Sequence, residues 1–146
     1  EKISARIGIK LILQSASKTA DMPQAATKLA NTVDAIFICN DNTALAALQS
    51  ITAIANKAKI PVYVSDTDAV ELGALAALGP NQYQVGLQTG AIVARSLNGE
   101  DLTKIPVEFA NKTELYLNKD AASAIGINFP DEILRKASKI IEKEGR

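Results

Sequence analysis

Two rhythms of apolar and polar positions alternate along the first seventy residues. "IKLIL" (9–13), "DAIFIC" (34–39) and "KIPVYVS" (59–65) are short, nearly continuous apolar runs that end on polar or small residues. Such runs predict strands, and "DAIFIC" has too few polar positions to face water on either side. Between the runs, apolar residues recur at helical spacing: Met22, Ala25, Ala26 and Leu29, then Leu45, Leu48, Ile51 and Ala55. Ser17 to Thr19 and Asp41-Asn42 supply the oxygens that cap helix starts, and Pro23 fits a first turn. The opening stretch, Glu1 to Ile7, reads as the amphipathic end of a helix closed by Gly8. Strand, helix, strand, helix, strand predicts βαβ units on a parallel sheet with right-handed crossovers.

The rhythm changes after Val70. "GALAALG" (73–79) suits a short strand, a crossing segment or a helical turn. Residues 82–98 predict a helix with Val85, Ile92, Val93 and Leu97 inward, ended by Gly99. "LTKIPVEF" reads as extended, and "TELYLN" (113–118) alternates as a strand does. Asn118 caps a short helix stopped by Gly126. The last stretch, from Pro130, predicts one amphipathic helix with Ile133, Leu134, Ala137, Ile140 and Ile141 on a shared face.

Composition narrows the chemistry. The 146 residues suit one domain or part of a larger one, and 47% are apolar. Sixteen basic residues balance sixteen acidic ones, and aromatic residues make up 4%. Neither a field nor stacking surfaces for nucleic acid are present, so nucleic acid is not an expected partner. The chain has no histidine. That excludes a Ser-His-Asp or Cys-His nucleophile and a histidine-liganded metal, leaving an oxygen-liganded cation as the one metal type open. The single cysteine, Cys39, lies in an apolar run and is expected to be a small buried hydrophobe. No apolar run reaches the length of a membrane span.

The informative chemistry lies at two strand ends. "FICND" and "YVSDTD" each place acids directly after an apolar strand and before a predicted helix. In an open parallel sheet that edge is where ligands bind. A carboxylate there can accept from an ammonium, and the amides of a helix start can receive a carboxylate. Asp and Asn in front of a helix are also ordinary caps. Asp66 is harder to read as a cap, because Asp68 stands two residues later and can do that work.

Asp66-Thr67-Asp68-Ala69-Val70 also matches the nucleophile motif of haloacid-dehalogenase phosphatases, with Asp66 as nucleophile and Asp68 as general acid/base. That magnesium-dependent chemistry needs a downstream Ser/Thr, a Lys and further acids. Thr89 and Lys104 are nominal candidates, but Asp120 and Asp131-Glu132 sit in cap positions rather than at a paired strand end. The phosphatase is the alternative reading.

"SDTDAVELGALAALG", "YQVGLQTG", "LYLNKDAASAIGINFP" and the "DN" after the second predicted strand resemble the solute-binding proteins of ABC transporters, of the tryptophan/tyrosine type. Cys39-Asn40 departs from the proline-threonine type of lead-in to Asp41-Asn42. The resemblance implies an α/β fold, the parallel-sheet βαβ lobe of a type I periplasmic binding protein. In such a protein, two lobes joined by crossing strands close on a ligand. Residues 1–70 would belong to the second lobe, 71–105 would cross to the first, and 106–146 would return. The first lobe and the strand opening the second would lie upstream of Glu1. The resemblance also implies that Asp41, Asn42, Thr43, Ser65, Asp66 and Thr67 line the cleft, with no cofactor and no catalysis. Asp66 would take a ligand ammonium, and Asn42 with the Thr43 amide its carboxylate or a side-chain group. An amino acid or analogue, the transporter's membrane subunits and a second copy of the chain are the expected partners. The expected location is periplasmic or extracytoplasmic.

Overall fold

The computed structural model describes residues 2–142, so Glu1 and the end of the carboxy-terminal stretch (143–146) lie outside it. Its centre is a five-stranded sheet in the order β1-β2-β3-β4-β5. The strands are β1 (Ile36–Ile38), β2 (Val62–Val64), β3 (Ala76–Pro80), β4 (Thr113–Asn118) and β5 (Lys139–Ile141). β1, β2 and β3 run parallel, β4 is antiparallel to β3, and β5 is parallel to β4. The helices are α1 (Lys2–Arg6), α2 (Met22–Ala30), α3 (Asn42–Leu45), α4 (Leu48–Lys57), α5 (Gln82–Leu97), α6 (Lys119–Ile125) and α7 (Asp131–Lys136).

Alternation along the strands decides where the core sits. Ile36, Ile38, Val62 and Val64 are buried against Met22 and Ala26 of α2 and Leu48, Ile51 and Ala55 of α4. Each of these large side chains contributes roughly 1.5–3 kcal/mol by leaving water. Leu75, Ala121, Ala122 and Ile125 form a second cluster beside α6. The residues between them point to the other face, where Phe37 is 67% exposed and Leu78 64%. "DAIFIC" is therefore buried on one face only. A groove of about 470 Å³ runs along that open face, lined by Phe37, Tyr63, Leu78, Leu115, Phe129 and Ile133 among others.

Four further expectations are corrected. Residues 9–13 form no strand and are exposed: they stand outside the sheet and do not join the free edge of β1. The helix from Pro130 ends at Lys136, and residues 139–141 become β5. The free edge of β4 takes them up: Ser138 N–H donates to Leu115 O at 2.8 Å, and Leu117 pairs with Ile140. Isoleucines suit that ladder better than a helix. Cys39, one residue past β1, is exposed. None of the sixteen residues of α5 is buried: of the expected inward face, Val85 and Ile92 are half-buried while Val93 and Leu97 are exposed.

"GALAALG" resolves as β3, entered through Gly73 at φ +110° after the 3-10 turn Asp68–Leu72. Asn118 ties this turn to the sheet. Its Nδ2 donates to Val70 O and its Oδ1 accepts from Ala121 N–H, both at 2.9 Å, with the residue buried. Replacing Asn118 with leucine strands both backbone groups at about 1–3 kcal/mol each. Urea unfolding of Asn118→Leu is expected to show a loss of ~2–5 kcal/mol. Asn118→Asp, which keeps the acceptor alone, is expected to lose less.

Candidate functional site

Three parallel strands end on one edge of the sheet. Ile38 pairs with Val64 and Val64 with Ala77, so the residues after β1, β2 and β3 emerge side by side, neighbouring strands about 5 Å apart. Ser65 N–H donates to Ile38 O at 3.3 Å and fastens the second tip to the first.

On the first tip, Asp41 is the N-cap of α3. Its Oδ1 accepts from Ala44 N–H at 2.8 Å. Asn42 and Thr43 open that helix, and Thr43 O accepts from the Thr19 hydroxyl at 3.4 Å. On the second tip, Asp66 Oδ1 accepts from Asp68 N–H at 3.0 Å. Asp66 thus does the turn-making work that the sequence suggested for Asp68, and it leads into a five-residue 3-10 turn rather than an α-helix. Neither acid's Oδ2 has a hydrogen bond among the described residues. Ser65 Oγ is buried with no hydrogen-bond partner among them. Such an orphan is rare in a folded protein. Thr67 is 4% exposed and packs below the tip, its methyl turned toward Gly79.

The structure brings Asp41, Asn42, Thr43, Ser65 and Asp66 to one edge and puts Thr67 underneath it. Gly79 makes this edge compact, because a Cβ built there would lie 2.1 Å from Ser65 O. Gly86 and Gly90, by contrast, lie in α5 with open space where a Cβ would go, so no close approach requires them.

Sequence reasoning passed over three residues at this edge. Asn81, directly after β3, caps α5 through Oδ1 on Gln84 N–H at 2.8 Å. Its own N–H donates to Lys112 O at 3.1 Å. Glu114, opposite Gly79 in the β3–β4 ladder, lies 3.2 Å from Lys112 Nζ. "GPNQY" carries a cap signal for Asn81, but nothing local in "NKTELY" marks Glu114, whose partners come through the ladder. Among the described residues, no group of three or more acids or cysteines comes together as a cation site.

A family model described as "ABC transporter substrate binding protein" matches residues 1–141. A curated relative, the "Tyrosine-binding protein" of Clostridioides difficile (strain R20291), is 27% identical over 116 residues, covering 80% of this chain and 34% of its own length. Three solved structures share the fold. A conserved domain protein from Vibrio cholerae O1 biovar eltor superposes with a TM-score of 0.87 at 38% identity, over 94% of this chain and 46% of its own. An ABC domain in complex with L-Trp from Streptococcus pneumoniae gives 0.88 at 26% identity, over 96% and 48%. A ligand-free, open substrate-binding protein with adhesive properties from Clostridium difficile gives 0.74 at 27%, over 97% and 48%. The chain thus spans about a third of the curated relative and just under half of each solved structure. None of these relatives points to phosphoryl transfer, and the phosphatase reading of Asp66 and Asp68 has no support among them.

Proposed function

The chain belongs to the ABC transporter substrate-binding protein family, and on that premise we propose that it forms one lobe of an importer's extracytoplasmic solute-binding component. The ligand is a small amino acid or analogue held in a cleft between two lobes. The observation that carries this reading is the pair of adjacent strand tips, each with a carboxylate oxygen unengaged, beside the orphaned Ser65 hydroxyl. A zwitterion suits such a place. Asp66 Oδ2 accepts from the ammonium, Asn42 with the Thr43 amide takes the carboxylate or a side-chain group, and the Ser65 hydroxyl, sealed behind the tip in this state, becomes a donor or acceptor when the tip shifts on closure. Asp41 holds the first tip in shape, and Thr67 supports the second. Closure excludes water and strengthens each of these contacts. No bond is made or broken, and the transporter's membrane subunits read the closed form. The tyrosine- and tryptophan-related relatives favour an aromatic amino acid as the first ligand to try.

In this reading residues 1–70 are the core of the second lobe, 71–105 carry the chain across to the first, and 106–146 return. β3 is the outgoing strand and β4 the returning one. Exposed apolar residues on the crossing part support the division: Tyr83 is 73% exposed, Leu87 53% and Leu97 83%. Such a surface fits a partner lobe better than water.

Calorimetry of the complete two-lobed protein against the twenty amino acids tests the function. Heat from at least one of them is expected, and silence from all of them sinks the reading. The 146-residue chain alone, with α5 and the open sheet face uncovered, is expected to self-associate. Multi-angle light scattering should give at least a dimer at high micromolar concentration, and a monomer throughout would contradict this.

A further inference from the structure

Residues 82–112 meet the sheet through two strands, β3 leading out and β4 leading back. This excursion has ties of its own. Gln88 Nε2 donates to Glu108 Oε2 at 2.8 Å and to Phe109 O at 3.0 Å. Arg95 holds Glu100 at 2.6 Å and Glu108 at 3.4 Å. With no residue of α5 buried against the sheet, the direction of the excursion is set where it joins.

The joint is a small polar knot. Pro80 and Thr113 form the last ladder pair, and beyond it Asn81 N–H donates to Lys112 O at 3.1 Å. Asn81 Oδ1 caps α5 on Gln84 N–H, and the ladder register, with Gly79 opposite Glu114 and Pro80 opposite Thr113, sets Asn81 diagonally across from Glu114, within reach of its carboxylate. The Glu114 side chain is 11% exposed. Lys112 Nζ lies 3.2 Å from its Oε1. The Asn81 hydrogen bond, then the Lys112 one, hold the Glu114 carboxyl below its ordinary range against the opposing effect of burial. The charged form is therefore the one this knot is built around.

We propose that Glu114 is a positioning residue: its carboxylate bolts the cap of α5 to β4 and fixes the direction of residues 82–112 relative to the sheet. It touches no ligand. On the two-lobe reading, on which this rests, Glu114 is a determinant of the opening angle and thereby of affinity.

The test is a distance. In the complete protein with Cys39→Ser, nitroxides are placed at Lys57→Cys on α4 and Ala94→Cys on α5 and read by double electron–electron resonance. The parent should give one narrow distribution, and Glu114→Gln should broaden it by about twofold or more, as a loosened hinge does. Lys112→Met, at an exposed side chain that the fold does not need, should broaden it less in the same sense. A second pair, Lys28→Cys with Lys57→Cys across α2 and α4, should stay unchanged, which a general loss of structure would not allow. Unaltered α5 distances in both variants overturn the proposal, as does equal broadening of the α2–α4 pair. The distances are read without ligand, so a protein that captures no amino acid would defeat the proposed function and leave this test standing.

Discussion

Replacing Asp66 with asparagine in the complete protein is expected to weaken amino-acid capture by about 30- to several-thousand-fold, from the ~2–5 kcal/mol lost when one partner of a desolvated charge pair is removed. Asparagine is the informative change, because Asp66 does two things with two oxygens. Oδ1 holds the turn by accepting from Asp68 N–H, and the asparagine Oδ1 can continue to do so. The negative charge offered to an ammonium is lost. Stability should therefore change little while affinity collapses. Asp66→Ala removes the turn contact as well, costing a further ~0.5–1.5 kcal/mol of stability. Titration calorimetry and urea unfolding on the same samples separate the two effects. Asp66→Asn binding within threefold of the parent would mean that the acid is a turn residue and nothing more.

Periodicity revealed the elements whose partners are close in sequence. Met22, Ala26, Leu48, Ile51 and Ala55 fall on the predicted stripes and are buried. Asp41, Asn81, Asp101 and Asn118 all accept from a backbone N–H two or three residues on, as their side chains invite. The errors share a different cause. "IKLIL" has the composition of a strand, yet a strand exists only against a neighbour, and the segment does not lie along the free edge of β1. Ile140 and Ile141 fit a helix by spacing, but the open edge of β4 offers a ladder, and tertiary pairing overrides a local preference. The alternation of Phe37 and Tyr63 with buried neighbours was also hidden: both are apolar, so burial on one face and on two faces read alike in the sequence.

The candidate site was legible as far as strand ends can be. Asp41 and Asp66 stand out because each follows an apolar run, and their meeting on one edge follows from parallel pairing. Glu114 was invisible. It lies thirty-three residues beyond Asn81 in the chain (114 − 81 = 33), and only the antiparallel return of β4 sets it opposite Gly79. Neither the orphaned hydroxyl of Ser65 nor the division of labour between the oxygens of Asp66 can be read from residue type, because both depend on where neighbouring backbone groups fall.

Gly79 supplies a large expected effect on the fold, and the chain contains its own control. A Cβ at Gly79 would stand 2.1 Å from the carbonyl oxygen of Ser65 and 3.2 Å from its carbonyl carbon. Both belong to the backbone leaving β2, in the middle of the sheet, so no flexible side chain can move aside. One strand must shift by about an ångström, and overpacking of this kind costs ~1–3 kcal/mol or more. The shift falls on the segment that aims Asp66, so Gly79→Ala should also lower affinity in the complete protein. Gly86 is the opposite case: it sits inside α5, with nothing within 4 Å of a built Cβ. There alanine should stabilise by about 0.5–1 kcal/mol, since glycine is the poorer helix former. The same substitution, seven residues apart (86 − 79 = 7), is thus expected to change sign. Urea unfolding of the 146-residue chain at low micromolar concentration reads both. If Gly79→Ala unfolds at the parent's midpoint, β3 does not press on Ser65 as described, and the strand end carrying Asp66 is held by something other than this contact.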